Sequence, residues 1–110
     1  MKILIKQGRI IDPSSALNGQ LADIFIENGV IARIGQDLTV DADQVVRLDG
    51  AFVSTGWVDV FAQFGDPGLE YKETLETGAA AAAAGGYTDV LVIPNTNPCI
   101  HNKAAVEYVV

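Results

Sequence analysis

The acidic residues of "WVDVFAQFGDPGLEYKET", residues 57–74, are the first place to look for chemistry. Asp59 sits in an apolar run, and Asp66 and Glu70 follow in the turn behind it. Three carboxylates within a few residues could hold a cation, although loop acids are ordinarily solvated. Asp59, enclosed by apolar neighbours, needs a partner, and a structural hydrogen bond would supply one. A second candidate is "PNTNPCIH", residues 94–101. Asn95 there could contact a carboxylate or cap a turn, since Asn and Pro both favour turns. His101 is the only histidine, and one imidazole cannot make an ordinary zinc site. Cys99, the only cysteine, has no base beside it and is expected to be a buried or half-buried thiol. Phe61 and Phe64 read as core, and Tyr71 and Lys72 as an ordinary surface loop.

The elements that must carry these residues can be read from pattern. "WVDVFAQF" is nearly continuous in apolar residues, as in a strand covered on both faces, and "GDPG" ends it. "EYKETLETGAAAAAAGG" follows as a helix. Glu70, Glu73 and Glu76 suit its early part, and Leu75, Ala79, Ala82 and Ala83 fall on one face. Gly85-Gly86 supplies a left-handed stop. "YTDVLVIP" is a second buried strand, centred on residues 90–93, and "HNKAAVEYVV" opens a second helix. Strand, helix and strand of these lengths predict a right-handed βαβ unit with parallel strands. Loops at the C-terminal ends of such strands carry ligand and catalytic sites, and both candidate segments are loops of that kind.

Residues 1–55 have a different texture. "KILIKQGRII" alternates, with Gly8 marking a bulge or turn, and "DPSSALNGQ" is turn chemistry throughout. "ADIFIENGVIARIG" places Asn28-Gly29 between two β-rich runs, the preferred type I′ hairpin. Short strands in 44–54 complete what reads as an all-β unit of antiparallel strands. The expected organisation is therefore two domains, 1–55 and 56–110.

Composition narrows the function classes. With 7 basic and 14 acidic residues the net charge is -7, which argues against a nucleic-acid partner. No apolar run approaches the roughly 20 residues of a membrane span, and the N-terminus lacks the apolar core of a signal peptide. A single cysteine fits a reducing compartment, so the expected location is the cytoplasm.

Taken together, "TGWVDVFAQFGDPGLEYKETLETGAAAAAAGGYTDVLVIPNTNP" resembles the dihydroorotases of the cyclic amidohydrolase superfamily. Members usually show Pro-Gly-hydrophobic-x-Asp, His-x-His-x-Arg, Pro-Gly-x-Glu-x-Lys-Glu-Thr, an alanine-rich helix, Gly-Gly-Phe-Thr and Pro-Asn-Thr-x-Pro. The resemblance implies that 1–55 is the N-terminal part of a β-sandwich-like composite domain. It also implies that 56–110 opens a TIM-like (β/α)8 metal-dependent hydrolase barrel. Such a barrel takes about 250 residues, so the chain is expected to be part of a longer protein.

The resemblance further implies zinc as cofactor and interconversion of carbamoyl aspartate and dihydroorotate in pyrimidine biosynthesis. A homo-oligomeric full-length protein is expected. In the family the His-x-His pair binds zinc, which polarises the substrate carbonyl and acidifies a bound water. The Arg holds the substrate carboxylate. Here those positions are Phe61, Gln63 and Gly65, and the initial Pro is Thr55. Asp59, Pro67, Gly68, Glu70, Lys72, Glu73 and Thr74 match, as does Asn95, the family's substrate-contacting Asn. No catalytic residue is assigned within the chain, and zinc binding by it alone is not expected. Three functions stay open: a dihydroorotase-family hydrolase impaired by the lost ligands, a non-catalytic scaffold for aspartate carbamoyltransferase, and a dihydropyrimidinase- or allantoinase-like hydrolase.

Overall fold

The computed structural model describes all of residues 1–110, which divide into two compact units, Met1–Thr55 and Gly56–Val110. The first unit is a five-stranded mixed sheet built on β1 (Lys2–Ile11). One edge of β1 pairs antiparallel with β2 (Leu21–Glu27), which pairs antiparallel with β3 (Val30–Gly35). The β2–β3 turn is the hairpin that Asn28-Gly29 predicts. Both residues are left-handed, φ 53° and 80°, as a type I′ turn requires. At Gly8 the β1–β2 register shifts, the predicted bulge.

The other edge of β1 corrects the antiparallel expectation. β4 (Gln44–Arg47) and then β5 (Phe52–Ser54) pair with it, and both run parallel. The Asp49-Gly50 turn (φ 49° and 90°) lies between them and keeps the chain on the same edge. There Gly50 N donates to Gln7 O and Arg9 N to Ala51 O, both at 2.9 Å. The cause lies in the connection. A hairpin reverses direction, whereas residues 36–43 cross over from β3 and deliver β4 parallel to β1. Leu4, Ile10, Ala22, Ile24 and Phe25 form the buried core.

The second unit holds β6 (Trp57–Ala62), α1 (Leu75–Ala84), β7 (Tyr87–Val92) and α2 (Lys103–Val109). β6 and β7 pair parallel with α1 as their crossover, as the sequence predicts. Thr74 caps α1: its hydroxyl accepts from Thr77 N at 3.1 Å, and Thr77 Oγ1 accepts from Thr74 N at 3.0 Å. Glu76 lies in the first turn, where the helix dipole favours it. Glu70 and Glu73 precede the helix, because the cap falls at Thr74 rather than earlier. Gly86 (φ 84°) provides the left-handed exit. Leu75, Ala79, Ala82 and Ala83 line one groove with β7, as their spacing predicts. Gly78 is buried against Phe64, and a Cβ there would fall 2.8 Å from the ring. No helix is long and apolar enough to cross a membrane.

Candidate functional site

In this unit the two candidate loops leave from adjacent strand ends. Ala62 and Val92 are in register, and Ile93 N donates to Ala62 O at 2.9 Å. Residues 63–74 and 93–102 therefore start side by side, at the strand end where α/β folds place their ligands. The loops also bond to each other. Asn97 N donates to Pro67 O at 2.9 Å. Gly68 (φ 92°) packs so closely on Asn97 that a Cβ would fall 1.6 Å from its carbonyl oxygen. Only glycine meets both demands.

Asp59, Phe61 and Gln63 alternate along β6 and beyond its end, and with Glu73 and Tyr87 they border a cavity of about 320 Å³. Asp59 Oδ1 accepts the backbone N–H of Phe61 at 2.9 Å. That contact accompanies a register shift between Asp59 and Ala62, so β6 bulges beside the candidate position. Phe61 is 74 % exposed, against the expectation that it is core. Phe64 is half-buried on Gly78. Gln63 is exposed, and Gly65 is buried with φ 78°.

The loop residues separate into connected and free. Asp66 corrects the expectation of a solvated acid: it is only 5 % exposed. Its Oδ2 accepts from Leu75 N at 3.0 Å, and its Oδ1 accepts from the Tyr108 hydroxyl at 2.9 Å. The Asp66 carboxylate, by accepting that hydrogen bond and by its charge, raises the pKa of the Tyr108 phenol, with burial and Glu70 adding smaller effects. Glu70 is exposed, as expected of a loop acid, and accepts from Gly68 N at 2.7 Å. Asn95 is exposed, and Thr96 closes its turn by donating from Oγ1 to Pro98 O at 2.9 Å. Cys99 is exposed, contrary to expectation, with its thiol directed to Pro94 O at 3.0 Å. His101 is on the surface, Nδ1 2.7 Å from Cys99 O. Tyr71 is 80 % exposed beside Lys72, as expected of a surface loop.

These residues do not fit a metal site. No three His, Cys, Asp or Glu side chains gather closely enough to hold an ion. Phe61 has no donor atom, Gln63 offers a neutral amide, and Asp59, Asp66 and Glu70 are each engaged with backbone N–H groups.

A family model described as Dihydro-orotase-like matches residues 50–110. The chain belongs to the dihydroorotase-like family. A dihydroorotase of Geobacter sulfurreducens is 47% identical over 100% of this chain and 26% of its own length. A dihydroorotase of Acetivibrio thermocellus is 42% identical over 98% of the chain and 25% of its own length. This dihydroorotase-like chain thus spans about a quarter of the curated relatives it matches. Among solved structures, an L-hydantoinase (dihydropyrimidinase) from Arthrobacter aurescens superposes with TM-score 0.81 and 27% identity, over 96% of this chain and 23% of that one. A D-hydantoinase superposes with TM-score 0.75 and 30% identity, over 98% and 23%.

Two buried carboxylates organise their units: Asp66, which the sequence offers only as a cation ligand or a solvated acid, and Asp23, which it does not single out. Asp23 is 3 % exposed and accepts three hydrogen bonds: Lys6 Nζ at 2.6 Å, Gln7 N at 2.9 Å and Leu38 N at 2.9 Å. A charged residue inside the apolar run "LADIFI", on the same face of the sheet as Lys6, was the available signal.

Proposed function

We propose that this chain is the N-terminal part of a dihydroorotase-family cyclic amidohydrolase whose first barrel strand has lost its metal clamp. Residues 1–55 then contribute to a β-sandwich-like domain, and 56–110 open the (β/α)8 barrel. The single observation that carries this reading is the pair Phe61 and Gln63 at the end of β6, inside otherwise matching family sequence. Removing two imidazoles from a zinc site removes most of its affinity and geometry. Gly65 leaves the substrate carboxylate without the family's guanidinium, while Asn95 keeps its place on the neighbouring loop. Catalysis of carbamoyl aspartate and dihydroorotate interconversion is impaired in the full-length protein.

Its expected place is the cytoplasm, as a homo-oligomer; a non-catalytic scaffold role beside aspartate carbamoyltransferase is the alternative reading. The 47% identity to a protein named dihydroorotase supports this family member over a dihydropyrimidinase or allantoinase. The test is dihydroorotate turnover by the full-length protein, with elution alongside aspartate carbamoyltransferase at micromolar concentration. Background turnover with co-elution supports the reading. Turnover well above background removes the impairment, and separate elution removes the scaffold role.

A further inference from the structure

Asp66 is a buried carboxylate with no cation within ion-pairing distance; the three ion pairs of the chain are Lys2–Glu27, Lys6–Asp23 and Lys103–Glu107. Burying a charge without a counter-ion is costly unless hydrogen bonds are aimed at it. The two donors aimed at Asp66 lie 9 and 42 residues further along the chain. Leu75 N is one of the unpaired amides opening α1, a favourable place for a carboxylate. The Tyr108 hydroxyl comes from α2, 42 residues away. Next to Asp66, Pro67 holds Asn97 N, and Gly68 packs on the same Asn97. One side chain therefore ties together the β6–α1 loop, the start of α1 and the last turn of α2. Through Pro67 and Gly68 it also fixes the β7–α2 loop.

We propose that Asp66 is the positioning residue for the loop pair at the C-terminal ends of β6 and β7, and that Tyr108 is the releasable half of its hold. This rests on the reading that the loop pair belongs to a ligand-binding barrel end, but the hold itself does not. When the Tyr108 hydroxyl is lost, α2 detaches from the loop and residues 65–69 and 94–99 lose their shared order. The sheet and α1 stay folded, because the Thr74 cap and the β6–β7 ladder are untouched. Tyrosinate cannot donate to a carboxylate, so deprotonation above the phenol's raised pKa has the same consequence. The acidic groups facing that phenol are Asp66 and, more weakly, Glu70.

Amide hydrogen exchange on the full-length protein tests this, with Tyr108→Phe as the variant. Exchange in 65–69 and 94–99 is expected to accelerate about tenfold, as loss of one hydrogen bond to a charged group implies, while 57–62 and 75–84 stay unchanged. Wild type, corrected for intrinsic exchange, should show the same acceleration on raising pH through the tyrosine range, and Tyr108→Phe should not. Unchanged loop exchange in Tyr108→Phe, or an identical pH response in both proteins, overturns the proposal. Asp66→Asn, which keeps one acceptor oxygen, gives a second route should Tyr108→Phe unfold: protection of the loops equal to wild type overturns it as well. Calorimetric titration with dihydroorotate reads the other question. Binding by wild type, lost in the variants with altered exchange, ties the hold to a ligand site; altered exchange in the variants without any binding leaves the hold standing and removes only the ligand-binding role of the loops.

Discussion

Asp23 in the first unit and Asp66 in the second are both buried carboxylates that gather distant backbone, yet they are stabilised in opposite ways. Asp23 has a cation, Lys6, whose ammonium lies 2.6 Å from it, and two backbone donors. Burial, the largest influence on its acidity, pushes its pKa up. The hydrogen bond from Lys6, those from Gln7 and Leu38, and the Lys6 charge together outweigh burial and hold the pKa below the ordinary 3.8. Asp66 has a helix N-terminus and a phenol, and no cation. The first arrangement suits a permanent joint between β1, β2 and the crossover at Leu38. The second joins loop to helix through a neutral donor, a hold without an ion pair.

The largest expected effect separates them by charge. Asp23→Asn strips Lys6 of its partner and should destabilise the protein by about 3 kcal/mol, measured by urea denaturation, with protection lost within residues 1–55. Asp66→Asn removes a charge that no cation balances and keeps an acceptor oxygen. It should cost about 1 kcal/mol, with altered exchange confined to residues 56–110. Equal losses at both sites would erase the distinction. The smallest effect is in pH. Because the Asp23 carboxyl is more acidic folded than unfolded, its contribution is complete above about pH 4. It falls away as pH drops through 3.8 toward the folded value. The urea midpoint of wild type should therefore decline more steeply below about pH 4 than that of Asp23→Asn. Parallel curves would show that Asp23 is not the linked group.

Local chemistry was the legible part of the sequence. Asn28-Gly29, Gly85-Gly86, the alanine face of α1 and the parallel β6–β7 pair follow from turn chemistry, propensity and period, all encoded within a few residues. Strand direction in the first unit was not legible, because alternation in "QVVR" is the same whichever way β4 runs. Asp66 was hidden by its setting: Gly-Asp-Pro-Gly reads as a solvated turn, and one of its two donors is Tyr108, 42 residues on. Phe61 failed as core for the converse reason. An apolar residue on a strand is buried only when another element covers it, and that cover is not written in β6. The candidate clamp was legible as an absence of donors at Phe61 and Gln63. The bulge made by Asp59 was not.

The most direct measurement is zinc stoichiometry in the full-length protein, wild type beside Phe61→His/Gln63→His, after identical zinc loading and gel filtration. The account predicts a wild type short of its metal and a double variant that retains more. A wild type already fully loaded, and unchanged by the two histidines, would contradict it.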